Sequence, residues 1–362
     1  MTAGTPPWPA DLRDALAHGA GDTPAAQLLR LVRSGRDRLP LPGHGATLQR
    51  WQALSAVAAA DLSLAKLFEG HTDALAILQE VAALRGAQDV PAGPAPAAGD
   101  DASDAGPALW GMWAAEAPGG RVEVHRQAGG QTVLRGAKRW CSGAEHLTHA
   151  LLTAWWPGVE LPQLVAVALQ QPGVAVSAQS WQAVGMAGSA SADVTFDDTP
   201  ATLVGVPGDY LGRPGFWHGG AGVAACWYGG AMAVGRALHQ ATAAAQKGPA
   251  GQPFKEAALG KVDVALAGAA ALLRETAQWI DAHPQVDAQA PVLRVRQAVE
   301  AVARQVLDES TRALGPTLLC RDAAFARRAA DLPVFIRQSH AERDDAALGR
   351  LRAAEPEAPW AL

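Results

Sequence analysis

The chain has little of what would place it quickly. It carries 3 cysteines in 362 residues, Cys141, Cys226 and Cys320, far apart and with no CxxC pair. That pattern excludes a disulfide framework and fits a reducing compartment, so a cytoplasmic protein is expected. A basic excess is also missing: 30 Lys and Arg stand against 35 Asp and Glu, for a net charge of -5. With no surplus of cations to neutralise phosphates, nucleic acid is not an expected partner. Charged residues, Pro or Gly interrupt every apolar stretch, and Pro6, Pro7 and Pro9 stand where a basic-then-apolar leader would be. Neither a membrane span nor a signal segment is expected. There is no Gly-x-Ser-x-Gly elbow. His146 and His149 are three apart, but no carboxylate or second pair accompanies them, so no metal site is expected. Tyrosine is nearly absent, with 2 residues against 12 Trp.

What is present is a change of pattern along the chain. Residues 10 to 86 read as helices. The clearest runs from Asp61 to Leu84, where Leu64, Leu67, Phe68, Leu75, Leu78 and Val81 recur at three- and four-residue steps and Gly86 is the stop. Residues 88–107 are Pro, Ala, Gly and Asp with nothing large to bury, which predicts a mobile linker closing an N-terminal helical domain, 1–107.

From 108 to 205 the period shortens to two, predicting a domain built as a small β-barrel. Val122 and Val124 alternate with polar residues, and Gly129-Gly130 makes a hairpin turn before Thr132. Asp193 to Phe196 alternates again, and Asp197-Asp198 is expected to turn the chain. Helix returns after Pro214, giving a C-terminal bundle domain over 206–362. Val292, Val295, Val299, Val302 and Val306 form its seam. Gly220 to Ala225 faintly imitates a dinucleotide fingerprint, but no strand precedes it, so it reads as helix packing by small residues.

Three ordered segments carry a family resemblance. Gly136-Ala137-Lys138-Arg139-Trp140-Cys141-Ser142-Gly143-Ala144 resembles the G-x-K-x-W-x-[ST]-x-[GA] segment of acyl-CoA dehydrogenases. Trp181 to Asp198 is similar to the family's G-M-R-x-[ST]-x-[ST]-x-x-V-x-F-D-D-V segment, and Ala115 to Gly119 to its T-E-P-x-[AG] segment. The resemblance implies an α+β fold: N-terminal helices, a middle small β-barrel and a C-terminal four-helix bundle. It also implies a flavin, FAD with FMN as the alternative. Trp140 would lie against the isoalloxazine ring and Ser142 would donate to the ring's polar edge, with Glu116 and Ser191 as further cofactor contacts. Read without the resemblance, Trp140 is a core residue and Ser142 a turn residue. The family also implies a homodimer or homotetramer and an electron-acceptor protein.

The departures bear on chemistry. Acyl-CoA dehydrogenases take the proton alpha to a thioester with a glutamate, a role that suits a desolvated carboxylate. Aligned from Asp331, that position is Ser339, followed by His340; the alternative position on the first bundle helix is Gly222. Glu342 lies three residues on and takes the role if the register slips. Ala115 replaces the expected Thr, and Ala187 the expected Arg. The Arg-x-x-Phe-Gly stretch is not found in Gln246 to Lys255, and the diphosphate turn is reduced to Leu314-Gly315-Pro316-Thr317. Pro316 offers no amide donor there.

His340 is therefore a candidate for proton transfer, against a solvated residue in a charged turn. Asp61 to Ala65 followed by His71 resembles the front helix of the flavin-dependent monooxygenases of this fold. His71 and His218 are candidate substrate contacts, against structural roles. The expected function is a flavin-dependent oxidoreductase acting on a small-molecule acyl thioester or a related substrate. The alternatives are a monooxygenase of the same fold, or a non-catalytic relic that has lost FAD.

Overall fold

The computed structural model describes residues 10–19, 21–86, 106–245, 252–357 and 360. The expected linker lies outside the described residues as far as 105, as do residues 246–251 of the missing Arg-x-x-Phe-Gly region.

Among the described residues four helices come first: α1 (Ala10–Ala17), α2 (Pro24–Arg33), α3 (Thr47–Ala60) and α4 (Leu62–Arg85). The start and stop of α4 follow from its ends. The Asp61 side chain accepts the Leu64 N–H at 2.8 Å, satisfying one orphan donor of the first turn. Gly86 ends the helix at φ 93. Leu64, Phe68, Ile77 and Val81 are buried, and so are Glu69, His71 and Thr72 between them. Burial on so many faces makes α4 a central helix, packed on the sheets on one side and on α3 and the bundle on the other.

Eight strands follow: β1 (Trp110–Trp113), β2 (Arg121–Arg126), β3 (Thr132–Cys141), β4 (His149–Ala154), β5 (Gln163–Ala168), β6 (Val174–Ser177), β7 (Ala192–Pro200) and β8 (Thr202–Val204). They form two four-stranded sheets, in the orders β1-β4-β5-β8 and β2-β3-β7-β6. Among the described strands, only β1 and β4 run parallel within a sheet. The sheets join where Trp155, just past β4, exchanges backbone hydrogen bonds with Val122 and Val124 of β2. The result is an open, flattened barrel with Val122, Val124, Leu134 and Val194 inside.

One expectation is corrected here. Asp197-Asp198 does not turn the chain; β7 runs on to Pro200. Thr199 pairs with Leu134 and Phe196 with Gly136, so two residues of β7 face one of β3. This is a β-bulge. Asp198 takes φ 47 and its carboxylate is gripped by Arg135 from the facing strand, at 2.7 and 3.0 Å.

The bundle comprises α5 (Asp209–Gly212), α6 (Gly215–Ala245), α7 (Pro253–Ala282), α8 (Gln289–Leu314), α9 (Pro316–Arg321), α10 (Ala323–Phe335) and α11 (Glu342–Ala353). Val292, Val295, Val299 and Val306 are buried along α8, and Val302 is half-buried. Residues 220–225 lie inside α6, which α3 approaches closely. A Cβ at Gly229 would stand 2.2 Å from the Ser55 carbonyl oxygen, so that crossing needs glycine. No described helix is long and apolar enough to cross a membrane.

Candidate functional site

The first motif segment ends β3 on a second bulge, between Lys138 and Cys141. Gly136 makes its start: at φ 111, any Cβ would lie 2.2 Å from the Arg121 carbonyl oxygen. Lys138 points inward and is 2% exposed. Its ammonium donates to Glu116 Oε1 at 2.7 Å and to Thr153 Oγ1 and O at 2.8 and 3.1 Å. Burial pulls the Lys138 pKa down against the pull of Glu116. Glu116 thus ties the Ala115–Gly119 turn to the barrel interior through an ion pair.

Trp140 points the other way. It adopts φ 59 within the bulge and is 55% exposed. A large aromatic side chain held outside the core on strained, left-handed backbone is a feature that asks for a ligand. Beside it the hydroxyls form a chain. Ser142 Oγ is 3.2 Å from Ser191 Oγ, which is 2.9 Å from Ser189 Oγ, which donates to the Met186 carbonyl at 2.7 Å. The Gly143 N–H donates to the Ser189 carbonyl at 2.8 Å, and Trp113 Nε1 to the Ser142 carbonyl at 3.1 Å. The two motif segments are therefore stitched side by side. From behind, Asp331 of α10 accepts the Met186 N–H at 2.5 Å. Burial raises the Asp331 pKa, and this hydrogen bond opposes the rise. A flat ring with a polar edge fits the donor set: an exposed indole for its face and hydroxyls for its edge.

The histidines are held separately. His71 is fully buried; its Nδ1 accepts the Trp110 N–H at 3.0 Å and its Nε2 lies 3.2 Å from Asp37 Oδ2. That pairing fixes the tautomer with the proton on Nε2 and locks α4 to β1. His218 is 2% exposed, and its Nε2 has no partner among the described residues. Burial lowers its pKa. The His340 side chain is 66% exposed at the start of α11, with Nδ1 3.5 Å from Asp344 Oδ1. Glu342 is exposed in the first turn of α11. Ser339 is buried and donates to Gln297 Oε1 at 3.0 Å, while Gly222 packs on Leu54 and Trp51. Among the described residues, no hydrogen bond or ion pair links His71, His218 or His340 to Trp140 or Ser142, and no group of three metal-ligating side chains forms.

A polar cluster that the apolar periodicity concealed lies on the bundle side of α4. Lys66, Glu69, Asp73 and Glu80 are spaced by three, four and seven, which puts them along one helix face. Lys66 pairs with Glu69 at 3.0 Å. Glu80 accepts from Arg213 at 2.7 Å and from the Gly215 N–H at 2.9 Å. Arg50 of α3, buried, donates to the Pro40 carbonyl at 3.3 Å and to Thr72 Oγ1 at 3.4 Å. Asp73 has no hydrogen bond or ion pair to any described residue. It faces α6 at Gly219, where a Cβ would stand 2.8 Å from Oδ1. Burial pushes its pKa up, Glu69 adds to the rise, and Arg213, Arg50 and Lys66 oppose it. Arg296 of α8 stacks on Trp227 at 4.8 Å and donates to the Gly220 and Gln338 carbonyls at 2.5 and 3.1 Å.

No protein-family model matches the chain, and no curated protein matches its sequence. Solved structures do match. The dibenzothiophene monooxygenase of Paenibacillus sp. A11-2 superposes with a TM-score of 0.74 at 19% identity, over 96% of this chain and 97% of that one. A further structure of that enzyme contains FMN. The nitrososynthase of Micromonospora carbonacea var. africana gives 0.74 at 18%, over 96% and 94%. KijD3, in complex with FMN and an amino-keto sugar nucleotide, gives 0.72 at 20%, over 95% and 90%. The order of helices and sheets, together with these superpositions over nearly the whole chain, gives the protein the acyl-CoA dehydrogenase-like fold.

Proposed function

We propose that the protein is a flavin-dependent monooxygenase of this fold, binding FMN on the face made by Trp140 and the Ser142–Ser191–Ser189 hydroxyls. The observation that carries the reading is the exposed Trp140 on left-handed backbone beside that chain of hydroxyls. When bound and reduced, the flavin supplies two electrons to dioxygen, so that one oxygen atom enters the substrate and the other leaves as water. The protein's residues do the rest. Trp140 covers one ring face and keeps water from it. Ser142, aligned by Ser191, meets the ring's polar edge. His340, exposed just before α11 with Asp344 beside it, is the group this reading assigns to proton transfer.

Two observations favour oxygen chemistry over dehydrogenation of an acyl thioester. Neither Ser339 nor Gly222 is a carboxylate, and Glu342 is exposed on α11. FMN is favoured over FAD by the corner between α8 and α9, where Gly315-Pro316 lacks the run of amides that would cradle a diphosphate. The FMN complexes of two structural neighbours point the same way. A homodimer or homotetramer would cover the exposed Trp140 face.

The test is the visible spectrum of the full chain after incubation with FMN or FAD and desalting. Retained FMN, with less retained by Trp140→Ala, is the expected result. Retention of neither flavin overturns the reading. Bleaching of the bound flavin by an acyl-CoA would replace it with the dehydrogenase.

A further inference from the structure

We propose that the crevice between α4 and the corner joining α5 to α6 holds the polar end of a hydroxyl- or amine-bearing, sugar-like ligand, with Asp73 as its acceptor. The inference rests on the flavin reading only in identifying that ligand as the substrate; the binding itself needs no flavin.

The argument starts from groups left without partners. Asp73 is half-buried, as a side chain on the wall of a narrow opening would be. No described group bonds to it, although cations surround it. Arg50 spends its donors on Pro40 and Thr72, Lys66 pairs with Glu69, and Arg213 reaches Glu80 through Nη1. A structural ion-pair network would have closed on the nearest carboxylate; this one leaves it open. Independently, Arg213 is 5% exposed and its Nε is buried without a partner among the described residues. Its guanidinium lies 5.4 Å from the Tyr210 ring centroid. The Tyr210 hydroxyl likewise makes no hydrogen bond to a described residue, and burial raises its pKa so that it stays a donor. One corner therefore offers an acceptor and two donors, all unused.

The buried, unpaired Arg213 Nε needs an explanation, and a ligand that pairs with it and with the half-buried Asp73 and Tyr210 is the simplest. A hydrocarbon acyl tail could pair with none. A group carrying hydroxyls or an amine gives Asp73 its hydrogens and takes those of Arg213 and Tyr210. The aromatic rings beside them suit such a ligand too: Tyr210 meets Phe216 edge-on at 5.3 Å, and Phe216 meets Trp217 at 5.2 Å. Rings of this kind cover the apolar faces of sugars.

Thermal shift with D-glucosamine, D-glucose and octanoyl-CoA at millimolar concentration, on the flavin-free full chain, tests the assignment. At least one of the sugars should raise Tm by several degrees. The shift should vanish in Asp73→Asn and shrink in Tyr210→Phe, which loses a single oxygen and keeps the ring. Absence of a shift with both sugars overturns the proposal, as does a sugar shift that persists in both variants. An octanoyl-CoA shift larger than either sugar's also overturns it. The spectrum with FMN, recorded separately, reports on the flavin reading alone, so the two can fail independently.

Discussion

Asp331 Oδ1 accepts the backbone N–H of Met186 at 2.5 Å, joining a bundle helix to the loop that carries Ser189 and Ser191. The join is tight: a Cβ on Gly185 would stand 2.1 Å from the Ala330 carbonyl oxygen. Met186 itself sits at φ 60, a conformation that a hydrogen-bonded backbone helps to hold. Asp331→Ala should cost about 2 kcal/mol in urea denaturation, since it strands a buried N–H. FMN affinity should fall with it, because the hydroxyl chain is anchored through Met186. Asp331→Asn keeps the acceptor and removes a charge that burial opposes. A raised carboxyl pKa means that stability is present at low pH and lost as pH rises through it. The Asn variant should therefore match the wild type in acid and equal or exceed it at neutral pH.

The Lys138–Glu116 pair makes a pH prediction of its own. Burial lowers the Lys138 pKa in the folded state. The unfolded chain then binds more protons in the alkaline range, so folding gains stability as pH rises from the lowered value towards the ordinary lysine value. Glu116→Gln removes the partner that offsets this and should cost about 1–2 kcal/mol at neutral pH, a modest figure because Glu116 is nearly half exposed. The deficit should narrow as pH is raised towards 10. Melting curves of both proteins across that range check it; a gap that is constant with pH would mean that Lys138 does not sense Glu116.

Much of the frame was legible because it rests on local chemistry. Asp61 and Gly86 bound α4 by capping and by left-handed φ, both visible as residue types. Val122 and Val124 are inside because a period of two leaves them no other face. What periodicity could not supply was the meaning of polar residues on a helix buried all round. His71 reads as a candidate contact, but its two ring nitrogens are engaged by Asp37 and Trp110, which are distant in sequence. Asp73 belongs to no motif; its spacing from Lys66, Glu69 and Glu80, which puts a charged stripe on an otherwise apolar helix, is its signal in the sequence. Asp197-Asp198 looked like a turn because a bulge uses the same residues; only the partner strand tells them apart.

Trp140 should matter to the cofactor and little to the fold. Its ring is largely outside the core, so Trp140→Ala should leave the Tm of the flavin-free protein nearly unchanged. The loss of ring stacking, about 1 kcal/mol, should weaken FMN binding roughly fivefold to tenfold. Trp140→Gly should bind as weakly and melt somewhat higher, because glycine accepts φ 59 without strain. Fluorescence titration with FMN and scanning calorimetry measure the two effects. A large fall in Tm with Ala would make Trp140 a packing residue instead.

Asp73 offers the opposite pairing of stability and function. The groups that face it are Glu69 and Lys66 from its own helix, Arg50 from α3 and Arg213 from the corner before α6. Desolvation and Glu69 outweigh the three cations, and the pKa is raised. The sign follows: the folded state holds the proton more tightly than the unfolded chain, and stability is lost as pH climbs through the raised value. Above that raised value the wild type carries a half-buried carboxylate at a cost. Asp73→Asn should relieve it and unfold later in urea by about 1 kcal/mol, as substitutions at functional sites often do. The gain should fade in acid, where Asp73 is already neutral. A carboxylate kept only to brace α4 against Arg50 and Arg213 would behave in reverse, since its removal would leave those cations buried and uncompensated and lower the stability at neutral pH. Denaturation at two pH values separates a residue held for a ligand from one held for the fold.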